Sequence, residues 1–423
     1  MRLASAAIAV ISIQLIHLLC FYTLTDAKNV ERKIKIRLYN QTSDKYYEAP
    51  IKKGRSLFKP AFGYNQTLPL VLIVHGMAMG ADSYFVNGVI NALVGRQLDK
   101  EYNIFAVDMP ELFQNNLFNN FYFGVLSNVQ PAGKRIGEFL NEVIKLNLTT
   151  PASVSLIGYS IGAQIAGYTA RLVKEVSGQI NYIAGLDPAG PGFHNLFGRV
   201  SGLTHVSQAD AGTAHFFHTN SVSCGTRDRV GTADFVFNSG GLQPGCLVES
   251  SLNCSHVRIP NLYIEAITNP GNLVARRCPS WAQFKQCQCD QHDSVLLTFP
   301  PDQSARGIYY LRTRAKSPFG LGVAGAHCRR ATSPTDKTEY HQGQGVPSGR
   351  KNSSTFDTQN LLNNRIKNML KPQDPRQMQD NFNIHIMNGI KRIEDFHKPE
   401  DGADKADNIA GSEENSDDDE SDE

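Results

Sequence analysis

Between Lys33 and about Thr313 the sequence predicts an α/β fold: a mostly parallel sheet wrapped by helices. Two observations predict it. Short apolar, β-branched runs end in glycine- or proline-rich turns, as buried strands do. Between them lie longer stretches with apolar residues at three- and four-residue steps, and the two kinds alternate along the chain.

LPLVLIVHG (Leu68–Gly76) is the first buried strand, ending in His-Gly, and YNIFAVDM (Tyr102–Met109) is the next. AGKRIGEFLNEVIKL (Ala132–Leu146) has helical spacing. SVSLI (Ser153–Ile157) is a strand, and IGAQIAGYTARLVKEV follows it as a helix with Ile161, Ile165, Tyr168, Leu172 and Val176 on one stripe. NYIAGLDPAGPGF (Asn181–Phe193) is a strand running into a loop. AHFFHTN (Ala214–Asn220) and TADFVFN (Thr232–Asn238) are later strands.

Sites in such sheets lie at the carboxyl ends of the strands. Ser160 stands there, inside GYSIG, a G-x-S-x-G pattern at a strand-to-helix corner. A sharp corner exposes the hydroxyl, the flanking Gly158 and Gly162 admit close backbone, and the helix N-terminus favours developing negative charge. A serine needs a base to remove its proton. In this setting the acid and then the histidine follow the serine in the chain. Asp187 is the first acid at a strand end. His194, His205, His215, His218, His256, His292 and His327 all follow, and residue types alone do not choose among them. His256 sits beside Cys254 on what reads as a loop before the helix IPNLYIEAI.

The chain of 423 residues has room for one large domain and an appendage. Residues 1–27 read as a secretory signal: one arginine, a long apolar run, then Thr25-Asp26-Ala27. No later stretch is apolar enough to span a membrane. An extracellular location makes disulfides the default use of the seven cysteines after the signal, and leaves one over. Cys287-x-Cys289 near His292 and Asp293 does not have zinc spacing, so no metal is expected. Asn40, Asn65, Asn147, Asn253 and Asn352 each begin an N-x-S/T sequon. The net charge of +2 is divided unevenly: residues 331–423 carry 11 Lys/Arg against 19 Asp/Glu, which leaves the remainder at +10. A basic body suits an anionic lipid surface. The tail, 331–423, is polar, contains no train of strands, and ends in EENSDDDESDE, which predicts disorder.

Several stretches together resemble the pancreatic lipase family of α/β-hydrolases. They are VLIVHGM, AVDM, GYSIGAQIAG, GLDPAGPGF, FFHTN, GTADFVFNSGGLQPGC and CSHVRIPNLYIEAI, followed in the family's order by WAQFKQCQCD and GIYYLRTRAKSPFG. The resemblance spans about Lys33 to Phe319 and implies an α/β-hydrolase lipase domain over 28–330. It implies Ser160 as nucleophile, Asp187 as acid and His256 as base, with the backbone N–H groups of Met77 and Ile161 as oxyanion donors. It implies a lid closed by Cys246 and Cys254, no cofactor, no nucleic-acid partner, and a lipid or phospholipid substrate at a membrane or droplet surface. The sequence sets no oligomeric state.

This chain departs from the family at Tyr159, Ile161 and Gln164, where the elbow usually reads G-H-S-L-G-A-H, and at AVDM, where the family has V-D-W. Only LVESSLN lies between Cys246 and Cys254, a short lid that resembles secreted phospholipases A1. The expectation is therefore a secreted phospholipase A1. A triacylglycerol lipase or general carboxylesterase is the alternative, and a non-catalytic, yolk-like binding protein is the other.

Overall fold

The computed structural model describes residues 29–40, 45–113, 121–193, 202–246 and 251–328, with side chains 121–123 and 251–253 excepted. The expected signal (1–27), the tail (331–423), His194 and most of the lid stretch lie outside the described residues.

Eleven strands form one sheet in the order β10-β9-β11-β8-β7-β6-β5-β3-β4-β1-β2. Its parallel centre consists of β3 (Leu70–Val74), β4 (Asn103–Asp108), β5 (Val154–Tyr159), β6 (Ile180–Leu186), β7 (Ala211–His218), β8 (Ala233–Phe237) and β11 (Gly307–Leu311). Antiparallel strands close both edges: β1 (Lys35–Asn40) and β2 (Lys45–Pro50) on one side, β9 (Val274–Arg277) and β10 (Ser294–Leu296) on the other. Every residue of β3, β4 and β5 is buried, as strands covered on both faces must be.

Helices cover the two faces. On one, α3 (Phe121–Lys145) and α4 (Ile161–Val176) enclose a core that includes Leu72, Phe105, Val129, Ile165 and Phe216. On the other, α1 (Tyr84–Gly95) and α5 (Ser251–Thr268) pack over Ile73, Ile157, Phe235 and Leu262. Two further short helices are α2 (Pro110–Phe113) and α6 (Trp281–Lys285).

The stripe expected on α4 is only partly the buried face. Val176 is 66% exposed, whereas Gly162, Ala163, Ala166, Gly167, Ala170 and Val173 are buried. The helix is sandwiched between the sheet and α3, so it needs small residues on two sides rather than one apolar stripe. A methyl on Gly133 of α3 would sit 2.5 Å from Tyr168 Cβ, and one on Gly137 would sit 3.0 Å from Leu172 Cβ. Tyr168 and Leu172 thus serve the helix pair, not the sheet.

Three disulfides pair six of the seven cysteines: Cys246–Cys254, Cys278–Cys289 and Cys287–Cys328. The last two cross-link the polypeptide around α6 and the β9–β11 edge. Cys287 and Cys289 therefore take different partners, and Cys287 and Cys328, which lie near Asp290, are tied up with each other instead of being available to a metal.

His215 on β7 is buried edge-on to Tyr182 and Phe235. Burial, reinforced by the Arg306 charge, lowers its pKa to about 4. Unfolded, it titrates near about 6.5. Between those values the unfolded chain binds a proton that the folded chain refuses, so stability falls as pH drops through this window, by about 3 kcal/mol. His215→Leu should remove that share of the acid destabilisation in urea titrations at pH 7 and pH 4; an unchanged pH slope would refute it.

Candidate active site

The site begins with the backbone at Ser160. It has φ 56° and ψ −119°, a strained conformation for a residue with a side chain. Neighbouring chain holds it there. Ser160 N–H donates to Leu186 O at 2.9 Å, and Ala189 N–H donates to Ser160 O at 3.2 Å. The flanking glycines permit the close approach. A methyl on Gly158 would lie 2.5 Å from Gly162 O, and one on Gly162 would lie 2.2 Å from Val74 O. The corner therefore presses against the end of β3 and turns directly into α4.

Asp187 follows β6, the neighbouring strand, and is also at positive φ, 42°. It is fully buried. Its Oδ1 accepts the N–H groups of Thr219 (2.9 Å) and Asn220 (3.1 Å), just past β7. Gly225 lies against the carboxylate; a methyl there would come within 2.5 Å of Oδ1. The other oxygen, Oδ2, is 2.6 Å from His256 Nδ1, and His256 Nε2 is 2.9 Å from Ser160 Oγ. Of the downstream histidines that are described, His256 is the one brought to Ser160. With Nδ1–H donated to the carboxylate, Nε2 faces the serine hydroxyl as an acceptor.

His256 is not on a loop. It lies within α5, which runs through Pro260 without a break. The sequence places the helix start at IPNLYIEAI, and a proline near that start reads as a boundary. Proline has no N–H, so the carbonyl four residues back, that of His256, loses its helical donor. The Tyr159 hydroxyl donates to that carbonyl at 3.3 Å. The Tyr159 ring also lies 5.1 Å from the imidazole, centre to centre, tilted by 32°. Tyr159, the residue before Ser160, thus touches the histidine twice. The signal was present in the sequence, as Tyr159 and Pro260, but only the fold brings the two together.

His75-Gly76-Met77 follows β3 and abuts the corner: a methyl on Gly76 would be 3.4 Å from Ser160 Cβ. His75 is buried, and its Nδ1 lies 2.8 Å from Gly76 O while Nε2 accepts the Met109 N–H at 3.1 Å. Nε2 is thus unprotonated and Nδ1–H is the donor. Burial lowers the His75 pKa, in keeping with this neutral form. The bond to Gly76 O orients the peptide between Gly76 and Met77. In a trans peptide the Met77 N–H points the opposite way from that carbonyl. Ile161, the first residue of α4, presents an N–H at the helix N-terminus, where no intrahelical acceptor exists.

Gln164 also has a structural task. Its Nε2 donates to Ala189 O at 2.7 Å and its Oε1 accepts the Val206 N–H at 2.8 Å, which ties α4 to the loop beyond Asp187. Under the acid, buried His218 Nε2 pairs with Asp234 Oδ1 at 2.8 Å. The Cys246–Cys254 bridge joins the chain before α5 to the helix, and Arg258 donates to Pro244 O and Ala315 O, both at 3.2 Å. The Arg258 guanidinium also lies over the Phe319 ring.

A serine on a strand–turn–helix corner of a mostly parallel sheet, with a histidine and a carboxylate behind it, defines the α/β-hydrolase class. Within that class, the chain belongs to the lipase family, whose model, described as Lipase, matches residues 21–319. It is 34% identical over 245 residues to phospholipase A1 member A of Bos taurus, covering 56% of this chain and 50% of that protein. It is 29% identical over 231 residues to pancreatic lipase-related protein 3 of Homo sapiens, covering 47% and 48%. It is 27% identical over 325 residues to hepatic triacylglycerol lipase of Oryctolagus cuniculus, covering 70% and 62%. The chain spans about half the length of the first of these relatives. No described helix is long and apolar enough to cross a membrane.

The closeness of Gly162 to Val74 O makes a direct prediction. Gly162→Ala should lower stability by about 3 kcal/mol, because two backbone segments would have to part. Gly95→Ala, at the open end of α1 with nothing within 4 Å, should be neutral or stabilise by up to about 1 kcal/mol. Urea unfolding of both variants checks the contrast, and equal effects would refute it.

Proposed function

We propose that this chain is a secreted serine esterase that hydrolyses lipid carboxyl esters, most readily the sn-1 acyl ester of phospholipids. The observation that carries the reading is the continuous relay from Ser160 Oγ through His256 to buried Asp187, at 2.9 and 2.6 Å.

In this reading His256 Nε2 takes the Ser160 proton as Oγ attacks the ester carbonyl. Asp187 keeps Nδ1 protonated and stabilises the imidazolium. The Met77 and Ile161 N–H groups stabilise the oxyanion, each worth on the order of 3 kcal/mol in such sites. His256 then gives the proton to the leaving alcohol. Water, deprotonated by the same nitrogen, releases the fatty acid and regenerates Ser160. The chemistry calls for no cofactor and no metal.

The lipid substrate rests on family membership and on the relatives' names. The phospholipid preference rests on the lid. Cys246 and Cys254 are eight positions apart, so the loop they close can cover little of the cleft and offers little apolar surface to an oil droplet. Similarity to the hepatic triacylglycerol lipase over 325 residues favours neutral lipid as the second reading. Secretion is supported by three disulfides and by the apolar N-terminal run.

Ser160→Ala should reduce hydrolysis of phosphatidylcholine to background, a loss on the order of 10⁶ in kcat, and Asp187→Asn should cost on the order of 10⁴. Release of the sn-1 fatty acid is the readout. Turnover of a long-chain triacylglycerol alone would overturn the phospholipid preference, and no Ser160-dependent turnover of either would leave a binding protein. Tyr159→Phe should lower kcat about fivefold with KM unchanged, the worth of one hydrogen bond to the His256 carbonyl. Pro260→Ala in that background restores a helical N–H and should recover most of the loss; failure to recover it would exclude the positioning role.

A further inference from the structure

The structure separates the sequons that three-residue patterns leave equivalent. Asn65 and Asn147 are exposed, whereas Asn40 is only 5% exposed, with Gly63 against its amide: a methyl on Gly63 would lie 2.8 Å from Asn40 Nδ2. The side chain of Asn253, and all of Asn352, lie outside the described residues.

Asn65 sits in a loop held by its backbone. Asn65 N–H donates to Asn103 Oδ1 at 2.9 Å, and Asn103 Nδ2 donates to Asn65 O at 2.7 Å and to Leu68 O at 2.9 Å. The Asn65 carboxamide projects outward and uses only its oxygen, which accepts from Thr67 N–H and Thr67 Oγ1, both within its own sequon. Its Nδ2 makes no hydrogen bond to a described residue. Asn147 ends α3 in the left-handed conformation, φ 55°, which asparagine tolerates. The two sequons touch: Gln66 Nε2 donates to Asn147 O at 2.6 Å. Tyr64 donates to the carbonyl of Leu148 beside it.

Both sites lie where β3, β4 and β5 begin, since Leu70 pairs in register with Asn103 and Val154. Ser160 and Asp187 lie where β5 and β6 end. The six residues of β5 separate these poles by about 20 Å.

We infer that Asn65 and Asn147 carry paired N-linked glycans that sheathe the pole opposite Ser160 and leave the pole bearing the site free to meet a lipid surface. The inference rests on the secretory reading above. In the modification each Nδ2 forms a bond to the anomeric carbon of a lipid-diphosphate-linked oligosaccharide. The anomeric C–O bond breaks, the diphosphate leaves, and the amide proton passes to a base.

The test is glycopeptide mass spectrometry on the full chain recovered from the medium of a eukaryotic culture, beside Asn40→Gln, Asn65→Gln and Asn147→Gln. A parallel chain places residues 28–423 behind an unrelated secretory leader. Asn65→Gln and Asn147→Gln should each lose one glycan mass and Asn40→Gln none. Peptide N-glycosidase applied to the folded protein should leave Ser160-dependent hydrolysis within about twofold. Secretion only with the unrelated leader would refute the native signal while still reading the sites. Glycan on Asn40, or an unmodified Asn65 or Asn147 in secreted protein, would overturn the inference, as would a large change in hydrolysis on removing the glycans.

Discussion

The backbone of Ser160 is the constraint on which the rest depends. Holding a residue with a side chain in such a conformation costs on the order of 1–3 kcal/mol. The surroundings over-determine it: the ends of β3 and β6, the loop after Asp187 and the first turn of α4 all meet at this residue. Were Gly162 any larger residue, α4 could not start against Val74, and the hydroxyl could not stand clear of the sheet. The same corner starts α4 at Ile161, so the positive end of the helix dipole lies next to Ser160. The placing of the Ser160 hydroxyl and of the helix N-terminus beside it thus comes from one distortion.

Asp187 shows a second use of strand ends. Asp187 is fully buried, and a buried carboxylate is costly unless its lone pairs are satisfied. Two consecutive amides, Thr219 and Asn220, satisfy one oxygen, and the base satisfies the other. Those amides are placed by the end of β7, beneath which the buried His218–Asp234 pair links β7 to β8. Burial foremost, with the Arg229 charge, holds His218 below its ordinary pKa, although Asp234 opposes this. A neutral His218 adds no positive charge beneath Asp187, leaving the acid's charge for the imidazole.

Much of this was legible before folding was considered. The parallel strands, Ser160 at a corner and Asp187 at the next strand end follow from period, glycine and chain order. His256 did not follow from those alone; six other histidines between Asp187 and residue 330 were equally eligible as residue types, and the choice came from resemblance. The fold explains why: the order of the strands, not spacing in the chain, decides which histidine reaches Ser160. The helical setting of His256 was missed because Pro260 reads as a helix boundary when its neighbours in space are unknown. The double burial of α4 was missed for a similar reason, since an amphipathic stripe describes a helix with one covered face.

Tyr159, where the chain departs from the family's usual elbow, and Pro260 make sense together and not apart. Pro260 alone would leave the His256 carbonyl without its helical donor beside a buried site, a cost of about 1–3 kcal/mol. Tyr159 alone would bury a phenol in need of a partner. Each supplies what the other lacks, and the bond from the Tyr159 hydroxyl to the His256 carbonyl fixes the turn of α5 that carries the imidazole. Tyr159 is covalently next to Ser160, so the histidine is tethered to the strand that leads into Ser160 as well as hydrogen-bonded to its hydroxyl. The distance between His256 and Ser160 is then set from β5, within the parallel centre of the sheet, as well as from α5.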